Sequence, residues 1–251
     1  MNNEISLNSK AHLFLCSSPF RYIYENGIFT NQGLYTENNL EDNLKKIWKE
    51  NSKILYIVSE PSLKKFNILI IDSIKDVLKK TPLTLSCIDL YDSINQEKKL
   101  ENYDVIFLGG GNVHIQNKFF EEIKLREKIK NFKGIIIGVS AGTMNCADIV
   151  YDPPELKEVV DPNKRFLKGL NLSKFMIVPH YYTIKDEKID GKRIIEDIIF
   201  EDSMNKCFYI LPDGSYIIQT LEESYLYGEG FIIKDKKMTK ICENNEVKLL
   251  K

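Results

Sequence analysis

The segment IIIGVSAG, Ile135–Gly142, places a serine directly after an apolar run and between two glycines. Its three isoleucines are β-branched and typical of the fully buried strands of parallel sheets. The G-x-S-x-G pattern indicates a sharp strand-to-helix turn, in which glycines fit beside the serine and its hydroxyl is exposed above the sheet. The segment therefore predicts a parallel α/β sheet and makes Ser140 a candidate nucleophile, although a glycine-lined structural turn would have the same sequence.

Apolar runs of this type alternate along the chain with stretches that have apolar residues at helical spacing. Strands are predicted at 12–16, 54–58, 83–88, 105–109, 135–139 and 175–179, and helices around Trp48, after Phe66, after Ile115 and over 191–200. This alternation is typical of a mostly parallel sheet covered by helices. From Cys207 onward, short strands alternate with turn dipeptides, which predicts a β-rich, antiparallel end of the same domain.

The composition favours an ordinary globular protein. The chain has 251 residues, of which 43% are hydrophobic and 28% charged, and its formal net charge is -1. These values predict one domain over residues 1–251, with no basic field to attract nucleic acid or an anionic membrane. The first residues lack a secretory pattern and no apolar run approaches the roughly 18 residues needed to span a bilayer, so a cytoplasmic location is expected.

The five cysteines are scattered and form no C-x-x-C pair. This arrangement favours reduced thiols in the core over disulfides or a zinc site. We therefore expect neither a metal nor an organic cofactor.

Two glycine-containing loops are expected at the carboxyl edge of the sheet, where reactive groups collect in open parallel sheets. One is the turn at Ser140, and the other is GGGN, Gly109–Asn112, at the end of the preceding predicted strand. Three glycines favour close approach of the backbone to a substrate carbonyl that needs oxyanion stabilisation. A flexible turn stays open as an alternative, whereas the spacing of phosphate-binding loops is not met.

A serine hydroxyl needs a base, and the chain contains three histidines. His12 begins a predicted strand and His114 lies early in a predicted helix, so structural roles are favoured for both. His180 ends the apolar run FMIVPH and precedes a polar stretch. It is therefore the preferred base, expected at the same sheet edge as Ser140.

The imidazole in turn needs a carboxylate that fixes its tautomer. Asp213, in ILPDG at the end of a further apolar strand, is the preferred candidate, although Asp-Gly is equally typical of a plain hairpin turn. The competing carboxylates are Asp148, Asp152, Glu155 and Asp186. The order Ser140, His180, Asp213 places one member at the end of each of three successive predicted strands.

Together these segments resemble the peptidase E family of serine peptidases, with cyanophycinase as a more distant relative. The resemblance runs from about Leu55 to about Gly230 and rests on VIFLGGGN, IIIGVSAGTMN, the YDPPE loop, GLNLSKFMIVPHY and ILPDGSYI, in that order. It implies a flavodoxin-like three-layer α/β/α sandwich, related to class I glutamine amidotransferases but with serine instead of cysteine at the turn. It also implies a small peptide as substrate and leaves a homodimer open.

The resemblance also implies roles for individual residues. Ser140 matches the nucleophile, His180 the base and Asp213 the acidic member, where peptidase E itself has the longer glutamate. The oxyanion donors that it implies are the backbone N–H groups of Gly110, Gly111 and Ala141.

The substrate-binding residues are less well matched, because the family's arginine-rich helix after the histidine is replaced here by DGKRIIEDII. Lys192 and Arg193 are the cations of this segment, and a surface role is open for both. The candidate substrate-binding residues are Asn112, Lys192 and Arg193.

The expected function is a serine exopeptidase or dipeptidase that acts through an acyl-enzyme, with a preference for N-terminal aspartate left open. A small-molecule esterase or amidase with the same residues is an alternative, as is a catalytically silent homologue that binds peptides or proteins. The loop Tyr151–Glu155 is an unassigned candidate for a lid over the site.

Overall fold

The protein is built around an eight-stranded mixed sheet and a separate four-stranded sheet. In this computed structural model, residues 11–25, 28–154 and 165–251 are described. The strands are β1 (His12–Cys16), β2 (Phe20–Glu25), β3 (Ile28–Leu34), β4 (Ser52–Ile57), β5 (Leu85–Tyr91), β6 (Val105–Leu108), β7 (Ile135–Val139), β8 (Ile149–Tyr151), β9 (Phe166–Lys168), β10 (Met176–Val178), β11 (Lys188–Ile189), β12 (Lys192–Arg193), β13 (Cys207–Ile210), β14 (Tyr216–Gln219), β15 (Ser224–Tyr227), β16 (Gly230–Lys234), β17 (Lys237–Cys242) and β18 (Val247–Leu250).

The helices are short except for two. They are α1 (Leu40–Lys45), α2 (Lys64–Leu78), α3 (Val113–Glu122), α4 (Leu125–Ile129), α5 (Ala141–Asn145), α6 (Tyr181–Ile184) and α7 (Phe200–Asp202), with a π-helix over Ile194–Ile199 and 3-10 turns over Glu37–Asn39 and Leu100–Asn102. None of the helices in the described ranges has the length and hydropathy of a membrane span.

The eight-stranded sheet has a parallel half and an antiparallel half. Its strand order is β18-β15-β14-β1-β7-β6-β4-β5. The last five strands in this order, β1, β7, β6, β4 and β5, run parallel. Read from the β5 edge, the order is β5-β4-β6-β7-β1. If β4 is numbered 1, the first four strands have the flavodoxin-like order 2-1-3-4, and the fifth place is taken by β1, which precedes them in the chain. The expected fold class is confirmed, and the carboxyl ends of β4, β6, β7 and β1 meet at one edge.

Strand β7 lies at the centre of the parallel strands, between β1 and β6. Its residues are apolar because a central strand of a parallel sheet is buried on both faces. Ile137 is aligned with Phe14 on one side and with Phe107 on the other, and all three are buried. Burying a side chain of this size contributes roughly 1.5–3 kcal/mol. The turn after β7 is thus carried by a buried central strand.

The β-rich end is divided between two sheets. Strands β14, β15 and β18 extend the main sheet by antiparallel pairing, whereas β10, β13, β16 and β17 form the four-stranded sheet. In the latter, β10 and β13 run parallel to each other. The three strand ends expected to carry the site therefore come from two sheets and not from one.

Three local predictions are only partly correct. The helix around Trp48 ends at Lys45, and the Trp48 indole instead donates to the Thr84 carbonyl at 2.8 Å. The helix after Ile115 is broken at Lys124, whose φ is 54°, because the chain turns there to bury Leu125 and Ile129 in α4.

The third prediction concerns 191–200, which is helical only from Ile194 onward, whereas Lys192 and Arg193 lie in strand β12 instead of at a helix start. The π-helix begins only at Ile194. Its four isoleucines are buried, so this segment winds to place Ile194, Ile195, Ile198 and Ile199 in the core. In addition, the strand predicted at 83–88 is shifted to Leu85–Tyr91.

Candidate active site

Ser140 is the turn residue between β7 and α5, and its backbone is strained. Its φ is 50° and its ψ is -112°, a conformation that costs a non-glycine residue of order 1–3 kcal/mol. The Ser140 N–H donates to the carbonyls of Ser17 at 3.0 Å and Cys16 at 3.1 Å, at the end of β1. The strain is therefore held by the central strands, as in a nucleophile turn.

The two glycines of the turn are required by packing. A Cβ on Gly142 would overlap the Leu108 carbonyl at the end of β6, and one on Gly138 would lie 2.8 Å from the Cα of Thr143. The glycines allow α5 to start immediately above the sheet. This feature fits a structural turn and a nucleophile turn alike, so the partners of the hydroxyl decide between them.

The Ser140 hydroxyl lies in a continuous line of polar side chains. Its Oγ is 2.8 Å from Nε2 of His180, and Nδ1 of the same ring is 2.7 Å from Oδ1 of Asp213. An ionised carboxylate can only accept, so Nδ1 carries the proton and Nε2 is left to accept from the Ser140 hydroxyl. About a third of the side chains of His180 and Asp213 is exposed (34% each), which leaves the line open to solvent.

His180 is held at the end of β10 in a left-handed backbone conformation, with φ 60° and ψ 39°. Its carbonyl accepts from the N–H groups of Thr183 and Ile184 in α6, and the following residue, Tyr181, donates to the Leu211 carbonyl at 3.2 Å. The two parallel strands β10 and β13 thus bring His180 beside the segment that carries Asp213.

Asp213 lies between β13 and β14, which belong to different sheets, so its Asp-Gly dipeptide is not a hairpin turn. The neighbouring Gly214 N–H donates to the Ser18 carbonyl at 3.0 Å. Burial raises the pKa of the Asp213 carboxyl, but hydrogen bonds from His180 and Ser17 and the charge of His180 outweigh burial and hold the pKa below its ordinary value. The carboxylate is therefore ionised at neutral pH.

The competing residues have other partners. Asp148 pairs with Arg126 at 2.8 Å, Asp186 lies 3.7 Å from Lys185, and an oxygen of Asp152 lies 3.0 Å from Nε2 of His114. His12 is buried at the opposite end of β1 from the site. Glu155 lies outside the described residues. Of the candidates that the structure describes, only His180 and Asp213 line up with Ser140.

The GGGN loop lies next to the turn at Ser140. A Cβ placed on Gly110 would be 3.4 Å from the Cβ of Ser140. The N–H groups of Gly110, Gly111 and Ala141 donate no hydrogen bond to any part of the chain that the structure describes. Three free backbone donors beside a serine hydroxyl are what an oxyanion site requires.

The peptide between Gly110 and Gly111 is fixed by Ser59, which follows β4. The Ser59 hydroxyl donates to the Gly110 carbonyl at 2.6 Å. In a trans peptide the N–H points opposite to the C=O, so this bond turns the Gly111 N–H away from Ser59. Gly111 has a φ of 148°, and a Cβ there would overlap the Ser59 hydroxyl, so only glycine fits.

The predicted substrate-binding residues lie apart from this line. The Asn112 side chain caps α3 by accepting from the Ile115 N–H at 2.8 Å. The Arg193 guanidinium pairs with Asp197 at 2.9 Å and lies 3.9 Å from Glu196. Lys192 is exposed, and no carboxylate among the described residues lies within ion-pair distance of its ammonium group.

The loop considered as a lid is anchored at its start. Tyr151 is buried, its ring stacks on Phe208 with a centroid distance of 4.1 Å, and its hydroxyl donates to Asp202 at 2.7 Å. Residues 155–164 lie outside the described residues, so the role of a lid stays a prediction.

Metal-ligand clusters and reactive thiols were sought among the described residues. No group of three or more His, Cys, Asp or Glu side chains with metal-binding geometry occurs among them. All five cysteines are free. Burial raises the pKa of the Cys16 and Cys146 thiols far above its usual range, which keeps these two cysteines near the site in the unreactive thiol form.

The sequence analysis did not identify two residues, Ser17 and Ser59. Both directly follow predicted parallel strands, so their position at the carboxyl edge of the sheet is the signal that could have identified them. Serine after a strand is also common in ordinary loops. Their hydroxyl partners lie far along the chain and could not be read from the local pattern.

Comparison with known proteins gives a family and a fold. The model of peptidase family S51 matches residues 29–224. The chain is similar to the crystal structure of a peptidase from an acI-B1 Actinobacterium, with a TM-score of 0.64 and 13% identity over 96% of this chain and 97% of that one. It is also similar to a putative peptidase E protein from Listeria monocytogenes EGD-e, with a TM-score of 0.54 and 16% identity over 92% and 98% of the two chains. No curated protein matches.

Proposed function

Since the chain belongs to peptidase family S51 and is therefore a serine peptidase, we propose that it is an exopeptidase that hydrolyses dipeptides through an acyl-enzyme at Ser140. The resemblance to peptidase E that the motifs suggested is confirmed by the family match and by the fold of the Listeria protein. The observation that carries the proposal is the line of hydrogen bonds, 2.8 Å and 2.7 Å long, from Ser140 through His180 to Asp213.

In the proposed reaction, Nε2 of His180 takes the proton of Ser140 as its Oγ attacks the peptide carbonyl. Asp213 holds the ring in the tautomer that can accept this proton and stabilises the imidazolium that forms. The proton then passes to the departing amine, and the C–N bond breaks to leave an ester on Ser140. Water, deprotonated by the same ring, hydrolyses that ester and restores the serine.

The developing oxyanion is proposed to bind the free N–H groups of Gly110, Gly111 and Ala141. Such donors stabilise the transition state more than the ground state, because the charge on oxygen appears only as the tetrahedral intermediate forms. The N–H of Ala141 is also at the amino end of α5, where the backbone donors of the first turn are unpaired.

Replacing Ser59 tests the oxyanion loop. Ser59→Ala removes the bond that fixes the Gly110–Gly111 peptide, so we expect kcat to fall roughly 10-fold with KM nearly unchanged. Steady-state kinetics on one dipeptide measure both constants. Ser52→Ala is a matched control, because this buried serine lies at the other end of the same strand and bonds the Lys49 carbonyl. An unchanged kcat in Ser59→Ala would show that this peptide does not need to be fixed.

We propose Lys192 as the residue that binds an acidic group of the substrate. The support is its place downstream of His180 and the lack of an ion-pair partner for its ammonium group among the described residues, whereas Arg193 pairs with Asp197. A lysine makes a single point contact with a carboxylate. This assignment keeps open a preference for N-terminal aspartate.

Replacing Lys192 tests this specificity. Lys192→Met should lower kcat/KM for Asp-X dipeptides by roughly 10-fold to 100-fold and leave Ala-X dipeptides within about twofold, because only the acidic substrate loses a charge-assisted bond. Lys188→Met, in the paired strand β11, is the matched control. Equal losses on both substrates, or no loss on either, would remove Lys192 from the binding site, and Arg193→Met shows whether its neighbour acts instead.

A panel of dipeptides, amino-acid esters and small amides tests the function itself. The proposal predicts Ser140-dependent hydrolysis of dipeptides. Hydrolysis of esters or small amides alone would identify an esterase or amidase. A folded protein that hydrolyses none of them would be a silent homologue.

A further inference from the structure

The hydroxyl of Ser17, directly after β1, contacts two members of the proposed catalytic line. It lies 2.7 Å from Oδ1 of Asp213 and 2.8 Å from the backbone nitrogen of His180. The Ser17 carbonyl also accepts the N–H of Ser140 at 3.0 Å. One fully buried residue therefore bonds to each of the three residues.

The direction of the two hydroxyl bonds follows from the partners. The His180 backbone brings its own hydrogen, so the Ser17 oxygen accepts it, and the single hydroxyl hydrogen is left for the Asp213 carboxylate. Oδ1 of Asp213 thus accepts two hydrogen bonds, one from Nδ1 of His180 and one from Ser17, both 2.7 Å long. A bond to a charged acceptor of this length is stronger than one between neutral groups.

The second bond acts on the backbone of His180. This residue has a φ of 60°, which is unfavourable for a residue with a Cβ and needs support from its surroundings. The Ser17 hydroxyl fixes the His180 N–H in this conformation, from which the ring reaches both Ser140 and Asp213. The same hydroxyl therefore positions the base and the acid together.

We propose that Ser17 is a positioning residue of the active site, which orients Asp213 and His180 through its one hydroxyl. The inference rests on the proposed function of the Ser140 line. The sequence resemblance assigned no role to this position.

Other groups around Asp213 do not replace Ser17. Among the described residues, the other side chains that interact with the carboxylate are His180 and Tyr35, and the Arg21–Glu37 pair flanks the Tyr35 ring. Burial and then the charge of Asp213 raise the pKa of Tyr35, so Tyr35 stays a neutral phenol. The Ser17 hydrogen bond is one of the contacts that lower the pKa of Asp213, so its loss would raise this pKa. As the pH falls, the Asp213 carboxylate would then be protonated at a higher pH than in the wild type.

The test compares Ser17→Ala with Ser18→Ala. Ser18 is a matched control, because it is the next residue, is also buried, and donates its hydroxyl to the Phe20 carbonyl at 2.9 Å instead of to the catalytic line. Ser17→Ala should lower kcat by about 10-fold to 100-fold with KM within about twofold, and should move the acidic limb of the pH profile to higher pH. Ser18→Ala should change neither. Ser17→Cys, which keeps the volume but donates weakly, should behave like Ser17→Ala and serves if the alanine variant does not fold.

A second readout does not need activity. The ¹³C shift of the Asp213 carboxyl, assigned by difference from Asp213→Asn, should titrate at a higher pH in Ser17→Ala than in the wild type and in Ser18→Ala. If Ser17→Ala matches Ser18→Ala in kcat, pH profile and carboxyl titration, the inference is overturned while Ser140-dependent hydrolysis stands. If the wild type hydrolyses nothing but the Asp213 titration still moves, the proposed function fails and the positioning contact is retained.

Discussion

Ser140→Ala is expected to abolish peptide hydrolysis, with kcat falling by about 10⁴-fold to 10⁶-fold. The reason is that the proposed acyl-enzyme needs an oxygen nucleophile at this place, and the structure gives His180 Nε2 no other hydroxyl partner among the described residues. What activity is left would come from the oxyanion donors and from substrate binding alone. Kinetics under substrate excess, with the variant purified free of wild-type enzyme, measure this loss.

The same variant should keep its stability. The partly exposed hydroxyl contributes little to folding, so the free energy of unfolding should change by about 0.5 kcal/mol or less. Ser93→Ala, at an exposed serine, provides the control for both activity and denaturation. If Ser140→Ala turns over dipeptides as fast as Ser93→Ala, the acyl-enzyme mechanism is wrong.

His180→Ala should cost nearly as much as Ser140→Ala, and the double variant should be little worse than either one. Residues of a triad act as a unit, because a serine without its base is not activated and a base without its serine has nothing to deprotonate. A double-mutant cycle on kcat/KM measures the coupling between them.

His114→Gln is the matched histidine control, because His114 lies beside Asp152 and makes no described contact with Ser140. It should keep activity within a few-fold of the wild type. Losses that add in the His180 and Ser140 double variant would show that the two residues act separately. A larger loss in His114→Gln than in His180→Ala would move the base to the other histidine.

The parts of the fold predicted from the sequence are those with a strong local signal. Strand β7 and the turn at Ser140 combine a fully apolar run with a glycine pattern that packing requires, so both were placed at the right residues. His180 and Asp213 were placed at strand ends because each follows an apolar run. The alternation of strands and helices predicted the parallel sheet, and the resemblance to the peptidase E family implied its flavodoxin-like order.

The parts that escaped prediction depend on long-range contacts. Nothing in the local sequence shows that β10 and β13 form a separate sheet, because strand pairing depends on tertiary packing. The segment from Lys192 has the apolar spacing of a helix but begins as a strand paired with β11. The Ser17 hydroxyl bonds residues 163 and 196 positions away, which no local pattern can reveal.

The most direct test of the proposed Ser140 nucleophile is the site of covalent labelling by a fluorophosphonate. An activated serine hydroxyl displaces fluoride from phosphorus and forms a stable ester, whereas a turn serine does not react. Intact-mass analysis and peptide mapping should find one adduct per chain, on Ser140, and none in Ser140→Ala or His180→Ala. No adduct on the folded wild-type protein, or an adduct on another residue that persists in Ser140→Ala, would contradict the assignment of Ser140 as the nucleophile.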